Sequence, residues 1–240
     1  MTSSVRQNSL ARPPTRESGP RSRRWMFWTA VEAAAAVVAV LADLLIPSLV
    51  LVAMALVSLT VRRTGLGADG WHSLGLRRLG HGGRVAGVVL ALVALWSLLQ
   101  LSVTMPIANH VSGHRQDLDA FDDLQGNVGL LLVLLVVGWV LGAVVEEVAY
   151  RGYLLTRIRE AIGHGRVGVW LAVLASSLLF GLAHTEQGAV GVAVVTLDGL
   201  FFCALRYRFR SLWASVLAHG CNNTLGFLAF FLVGPIYGFW

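Results

Sequence analysis

Lysine is absent from this chain, and all 19 basic residues are arginines. Charge of either sign is scarce: 13% of the 240 residues are charged, where a soluble domain carries about 25%. That shortage excludes an ordinary soluble globule. Cysteine is nearly missing too, with only Cys203 and Cys221, both inside apolar segments, so no disulfide framework is implied. Cys221 follows His219 by two positions, roughly 200° round a helix, which argues against a cysteine–histidine nucleophile. There is no His-Glu-x-x-His run, so the usual helical zinc-protease signature is missing. Nor is there an internal repeat of the kind common in transporters.

What is present is apolar. Hydrophobic residues make up 56% of the chain and gather in repeated runs of roughly 17–25 residues, the length that crosses a bilayer as a helix. The runs are continuous and lack the alternation of outer-membrane strands. The composition therefore predicts an all-α, polytopic transmembrane helical bundle. Spans are expected near 26–45, 47–61, 85–105, 127–150, 167–184, 188–205 and 211–232. Pro47 marks the turn between the first two.

The formal net charge of +6 could suggest nucleic acid or anionic lipid, and position decides for the bilayer. Residues 1–24 form an Arg-, Ser- and Pro-rich segment that reads as a disordered cytoplasmic tail. Its twin arginines, Arg23 and Arg24, read as an anchor for the first span rather than an export signal. Further arginines follow span two (Arg62, Arg63, Arg77, Arg78, Arg84), span four (Arg157, Arg159, Arg166) and span six (Arg206, Arg208, Arg210). With seven spans all of these share one side. The opposite loop, 106–126, sets Arg115 against Asp117, Asp119, Asp122 and Asp123. The positive-inside rule then predicts an integral membrane protein with a cytoplasmic N-terminus. Residues 25–126 read as N-terminal membrane helices and connectors, and 127–232 as the motif-bearing region.

Three polar clusters interrupt the later spans: Glu146-Glu147 with Arg151, Phe180 with His184, and His219 with Asn223. A charged side chain near mid-bilayer costs at least ~2.5–3.5 kcal/mol, so ionisable groups there mark a functional site by default. Arg151 follows Glu147 by four positions, hence on the same helix face. Glu146 shares a stripe with Gly138, Gly142 and Tyr150, and two glycines at that spacing let a neighbouring helix come close. Glu147 is thus expected to pair with Arg151, leaving Glu146 as the general base. Two imidazoles and an amide donor complete the groups needed to activate water and stabilise an oxyanion. The same residue types also permit a metal, zinc for instance, on His184, His219 and Glu146. Phe180 stands on the face of His184. Asp198 in span six and Glu32 in span one need partners.

Glu146-Glu147-x-x-x-Arg151-Gly152-Tyr153, then Ser177-Leu178-Leu179-Phe180-Gly181-Leu182-Ala183-His184, then Ser211-Leu212-Trp213-Ala214 leading to His219-x-x-x-Asn223 resemble the three motifs of the CPBP (Abi) family of intramembrane proteases. That family includes the type II CAAX prenyl endopeptidases, and the similarity spans roughly residues 130–228. The resemblance implies seven or eight membrane helices around a conical cavity open to the cytosol. It implies that Glu146 activates water, that His184 assists, and that His219 and Asn223 stabilise the oxyanion, in a glutamate-type or metal-dependent reaction. The implied partner is a membrane-associated or lipidated peptide, in a bacterial plasma membrane, with no nucleic acid. The alternatives from the residues are a non-catalytic adaptor of the same fold and an ion-coupled transporter using Glu146, Glu147, Arg151 and Asp198. One difficulty stands: His184 lies roughly 25 Å along its helix from Arg166, but His219 only roughly 14 Å from Arg210. A shared site requires span five to tilt or to begin below the membrane.

Overall fold

The computed structural model describes residues 23–43, 46–66, 74–163 and 165–239. Most of the Arg-rich tail and Trp240 lie outside the described residues, as do the side chains of Arg62 and Arg63. Arg23 and Arg24, expected in the tail, already belong to the first helix.

Seven helical rods account for the bundle among the described residues: α1 (Arg23–Leu41), α2 (Pro47–Leu66), α3 (Gly82–Ser112), α4 (Val128–Ile162), α5 (Arg166–Leu182), α6 (Gly188–Phe209) and α7 (Leu212–Val233). Five helical stretches are long and apolar enough to cross a membrane; α2 and α5 carry shorter apolar stretches. Large apolar side chains such as Val57, Leu95, Val136 and Trp170 stand on the outer surface of the bundle. In water such a surface would aggregate; in a bilayer it is the lipid-facing belt. The chain is an integral membrane protein.

Local chemistry sets the helix ends. Pro47 opens α2, where its missing N–H costs nothing. The Asn127 side chain caps α4 by accepting from Leu130 N at 3.0 Å, and Ser211 caps α7 by accepting from Trp213 N at 3.2 Å. Pro106 lies within α3, just past a π-helical turn at Gln100–Thr104. A proline cannot donate to the carbonyl of the preceding turn. The carbonyl of Leu101, five residues back, instead receives Phe239 N at 3.2 Å.

Two further departures from the expected spans shape the site. First, residues Gly138–Leu154 of α4 are π-helical, with i→i+5 bonding. Each turn holds more residues than the 3.6 assumed for Glu146 and Glu147, and π stretches gather at functional sites. Second, α4 runs on to Ile162 rather than ending near 150. Those twelve or so residues add roughly 18 Å of rod, so α5 begins farther out at the arginine-rich end than α7 does. That offset removes the depth difficulty: the Phe180 and His219 ring centroids are 5.8 Å apart.

The two ends of the bundle are closed differently. At the arginine-rich end, Arg206 Nη2 donates to Leu74 O (3.1 Å) and to Thr156 Oγ1 (3.2 Å). Leu212 N donates to Gly75 O at 2.8 Å. Leu74, Tyr153, Leu154, Leu155 and Leu212 are fully buried there. At the opposite end, residues 113–127 fold as a loop with one 3-10 turn, Asp119–Leu124. Asp117 N donates to Gln187 O and Gly126 N to Phe231 O, both at 3.0 Å.

Candidate active site

Helices α4, α5, α6 and α7 meet at the polar clusters. Close approach is possible because two positions lack a side chain. A Cβ at Gly142 would lie 2.8 Å from Asn223 Nδ2 and 3.9 Å from His219 Nε2, so α7 can seat both polar residues against α4. A Cβ at Gly181 would overlap Thr196 Oγ1, which brings α5 onto α6 beside His184.

Glu147 is the centre of the buried charge. It is wholly excluded from solvent, as is Arg151, whose Nη1 lies 2.9 Å from its Oε1. His219 Nδ1 lies 3.0 Å from the same oxygen. A carboxylate only accepts, so Nδ1 of His219 carries the hydrogen and its Nε2 points away from Glu147. Nε2 stands 3.9 Å from Glu146 Oε2. That spacing is too long for a direct hydrogen bond and suits one bridging water. The Glu146 side chain is 20% exposed and that of Glu147 not at all, so solvent reaches only the first carboxylate. Arg151, His184 and His219 all lie within electrostatic range of Glu146, and on a π turn Arg151, five positions on, shares its face. Glu146 is therefore less isolated from the arginine than the 3.6-residue wheel suggested.

Aromatic rings hold these groups. The Arg151 guanidinium lies 3.9 Å from the Phe180 ring centroid and 5.3 Å from that of Phe202, a placement that offsets part of its desolvation. Phe202 stacks on His219 at 4.8 Å. Phe180 meets His184 edge to face at 4.9 Å. His184 Nδ1 is 2.8 Å from Phe180 O. A carbonyl also only accepts, so Nδ1 is the protonated nitrogen and Nε2 is left with a lone pair. Asn223 Nδ2 donates one hydrogen to Gly138 O at 3.3 Å, leaving its second N–H free.

A cavity of about 510 Å³ begins at Phe180, His184, His219 and Asn223 and runs toward the acidic loop, past Asp198, Gln116, Leu118 and Phe121. Its wall holds a second polar network that was only partly legible. Asp198 Oδ1 accepts from Trp96 Nε1 (2.6 Å) and Gln100 Nε2 (3.1 Å), and Ser97 Oγ donates to Asn222 Oδ1 at 3.2 Å. Asp198 stood out in the sequence. Trp96, Gln100 and Asn222 did not, although a lone glutamine in an apolar run six residues before a proline is a usable signal. Glu32, also singled out, lies away from this site, 3.1 Å from Arg157 Nε and 2.9 Å from Ser58 Oγ.

Among the described residues, no group of three His, Cys, Asp or Glu side chains is disposed to hold one metal ion. Both histidine Nδ1 atoms bond within the protein, so Nε2 is the open nitrogen of each ring. His184, His219 and Glu146 are neighbours here without forming a ligand set.

Comparison with known proteins adds one finding. Residues 128–225 match the family described as type II CAAX prenyl endopeptidase Rce1-like. The match covers α4 to most of α7 and takes in all three polar clusters. No curated protein and no solved structure matches the chain.

Proposed function

Taking residues 128–225 as an Rce1-like, CAAX-protease-type region, we propose that this chain is an intramembrane endopeptidase of the glutamate type, with Glu146 as the general base. One observation carries the reading: of two adjacent carboxylates at the site, only Glu146 is open to solvent, and its Oε2 stands 3.9 Å from His219 Nε2, close enough for one water to bond to both from the side.

In this mechanism a water beside Glu146 Oε2 bridges it to the imidazoles. Glu146 takes its proton while the oxygen attacks the scissile carbonyl carbon. His184 orients that water through the Nε2 lone pair. The carbonyl oxygen, now negative, lies toward Asn223, whose second N–H is available. His219, when protonated at both nitrogens, adds Nε2–H as a second donor. Glu147 keeps His219 in register through Nδ1, the role a buried carboxylate plays for histidine in a serine protease. The C–N bond then breaks, and Glu146 returns its proton to the departing nitrogen. The aromatic and aliphatic side chains packed around these groups lower the local dielectric, and this strengthens each of these contacts. The substrate class is a membrane-associated peptide or protein.

The test is cleavage of candidate membrane peptides by the full chain in proteoliposomes, wild type against Glu146→Gln. Cleavage by wild type that disappears in Glu146→Gln supports the reading. Cleavage unchanged by the substitution sinks it. A chain that binds peptides and cleaves none, with or without Glu146, is an adaptor.

A further inference from the structure

Among the described residues, the cavity runs from the polar clusters toward the acidic loop. Toward the arginine-rich end, the space beyond Glu147 and Arg151 is filled by Tyr153, Leu154, Leu155, Leu74 and Leu212, all fully buried. Arg206, itself buried and bonded to Leu74 O and Thr156 Oγ1, ties that plug together. Toward the other end, the cavity continues to Gln116, Leu118 and Ile236. The loop there is the one that carries Asp117, Asp119, Asp122, Asp123 and the single Arg115.

Arginine placement gives those ends a side of the membrane. The tail and the segments at 62–84, 157–166 and 206–210 hold 17 of the 19 arginines. The two left over are buried Arg151 and Arg115. An asymmetry of that size in short segments beside spanning helices sets the arginine-rich end in the cytoplasm.

From these two observations we infer that the site is reached from the non-cytoplasmic face, and that its substrate is a peptide segment exposed on that outer face rather than a cytosolic tail. The family resemblance alone implies the opposite opening. The word substrate rests on the endopeptidase reading above; the access route does not.

Single cysteines introduced into the full chain test this, with the native chain as labelling background. Ser112→Cys marks the acidic end, Gly165→Cys the arginine-rich end, and Gln116→Cys and Asn222→Cys the cavity. In right-side-out vesicles, a membrane-impermeant maleimide is expected to label Ser112→Cys and both cavity positions several-fold more than Gly165→Cys. Inside-out vesicles should reverse the order. Two results overturn the inference: cavity labelling only from the arginine-rich side, or no labelling of either cavity position from any side. Using two cavity positions guards against one variant failing to fold. Labelling needs no catalysis, so an inactive chain that labels as expected would remove the endopeptidase and leave the access route. An active chain that cleaves only peptides presented at the arginine-rich face would do the reverse.

Discussion

His219 bonds through Nδ1 to Glu147 Oε1 at 3.0 Å, across 72 residues of sequence and between two helices. The second glutamate of the pair therefore does more than neutralise Arg151. It positions the imidazole that faces the first glutamate. The two carboxylates differ in exposure, and under the proposed mechanism their substitutions should fail in different ways.

Glu146→Gln should lower kcat by about 10²–10⁴, the usual contribution of a positioned general base, while the thermal midpoint in detergent stays near wild type. Glu147→Ala should lower both. It leaves the Arg151 guanidinium buried without its anion, and breaking such a pair costs about 3–5 kcal/mol. Equal thermal midpoints for the two variants would contradict this division.

Gly142→Ala should cut activity more than stability. The added Cβ would stand 2.8 Å from Asn223 Nδ2, so that amide must move, while His219 Nε2 at 3.9 Å stays in ordinary contact. Overpacking of this kind costs about 1–3 kcal/mol. Steady-state kinetics should show the loss in kcat rather than KM, because the displaced amide is the proposed oxyanion donor. A variant with wild-type kcat would show that the α4–α7 spacing is not critical.

Asp198→Ala should destabilise the chain by about 1–3 kcal/mol by leaving the Trp96 indole N–H and the Gln100 amide without their acceptor. Asp198→Asn keeps an oxygen at that place and should lose less. Thermal unfolding in detergent, followed by circular dichroism, measures both losses. Equal losses for the two variants would mean that charge, not the hydrogen bonds, holds the wall.

Activity should survive extended dialysis against a strong chelator, because the donors near the site do not form a ligand set. Abolition by chelator with recovery on added zinc would require a rearranged site and overturn the glutamate-type mechanism.

The motif region was legible because its signals are local. Glu147 and Arg151 are four positions apart, and i,i+4 partners meet on almost any helical wheel, including the wide π turn that no periodicity announced. Gly138 and Gly142 announced a close helix neighbour without naming it. That the neighbour is α7, and that it delivers Asn223 and His219, depends on packing over long sequence separations. The same holds for Trp96 and Gln100 against Asp198, whose partners stand 102 and 98 residues away.

Residue types and their order along the chain were enough to establish a helical membrane protein, its arginine asymmetry and the groups available for chemistry, since hydropathy and i,i+4 spacing act within one helix. Packing alone chose which carboxylate meets solvent, which nitrogen of each imidazole is engaged, and toward which end the cavity runs. Those outcomes depend on how far α4 extends before the chain turns back, and on where glycines let neighbouring helices touch.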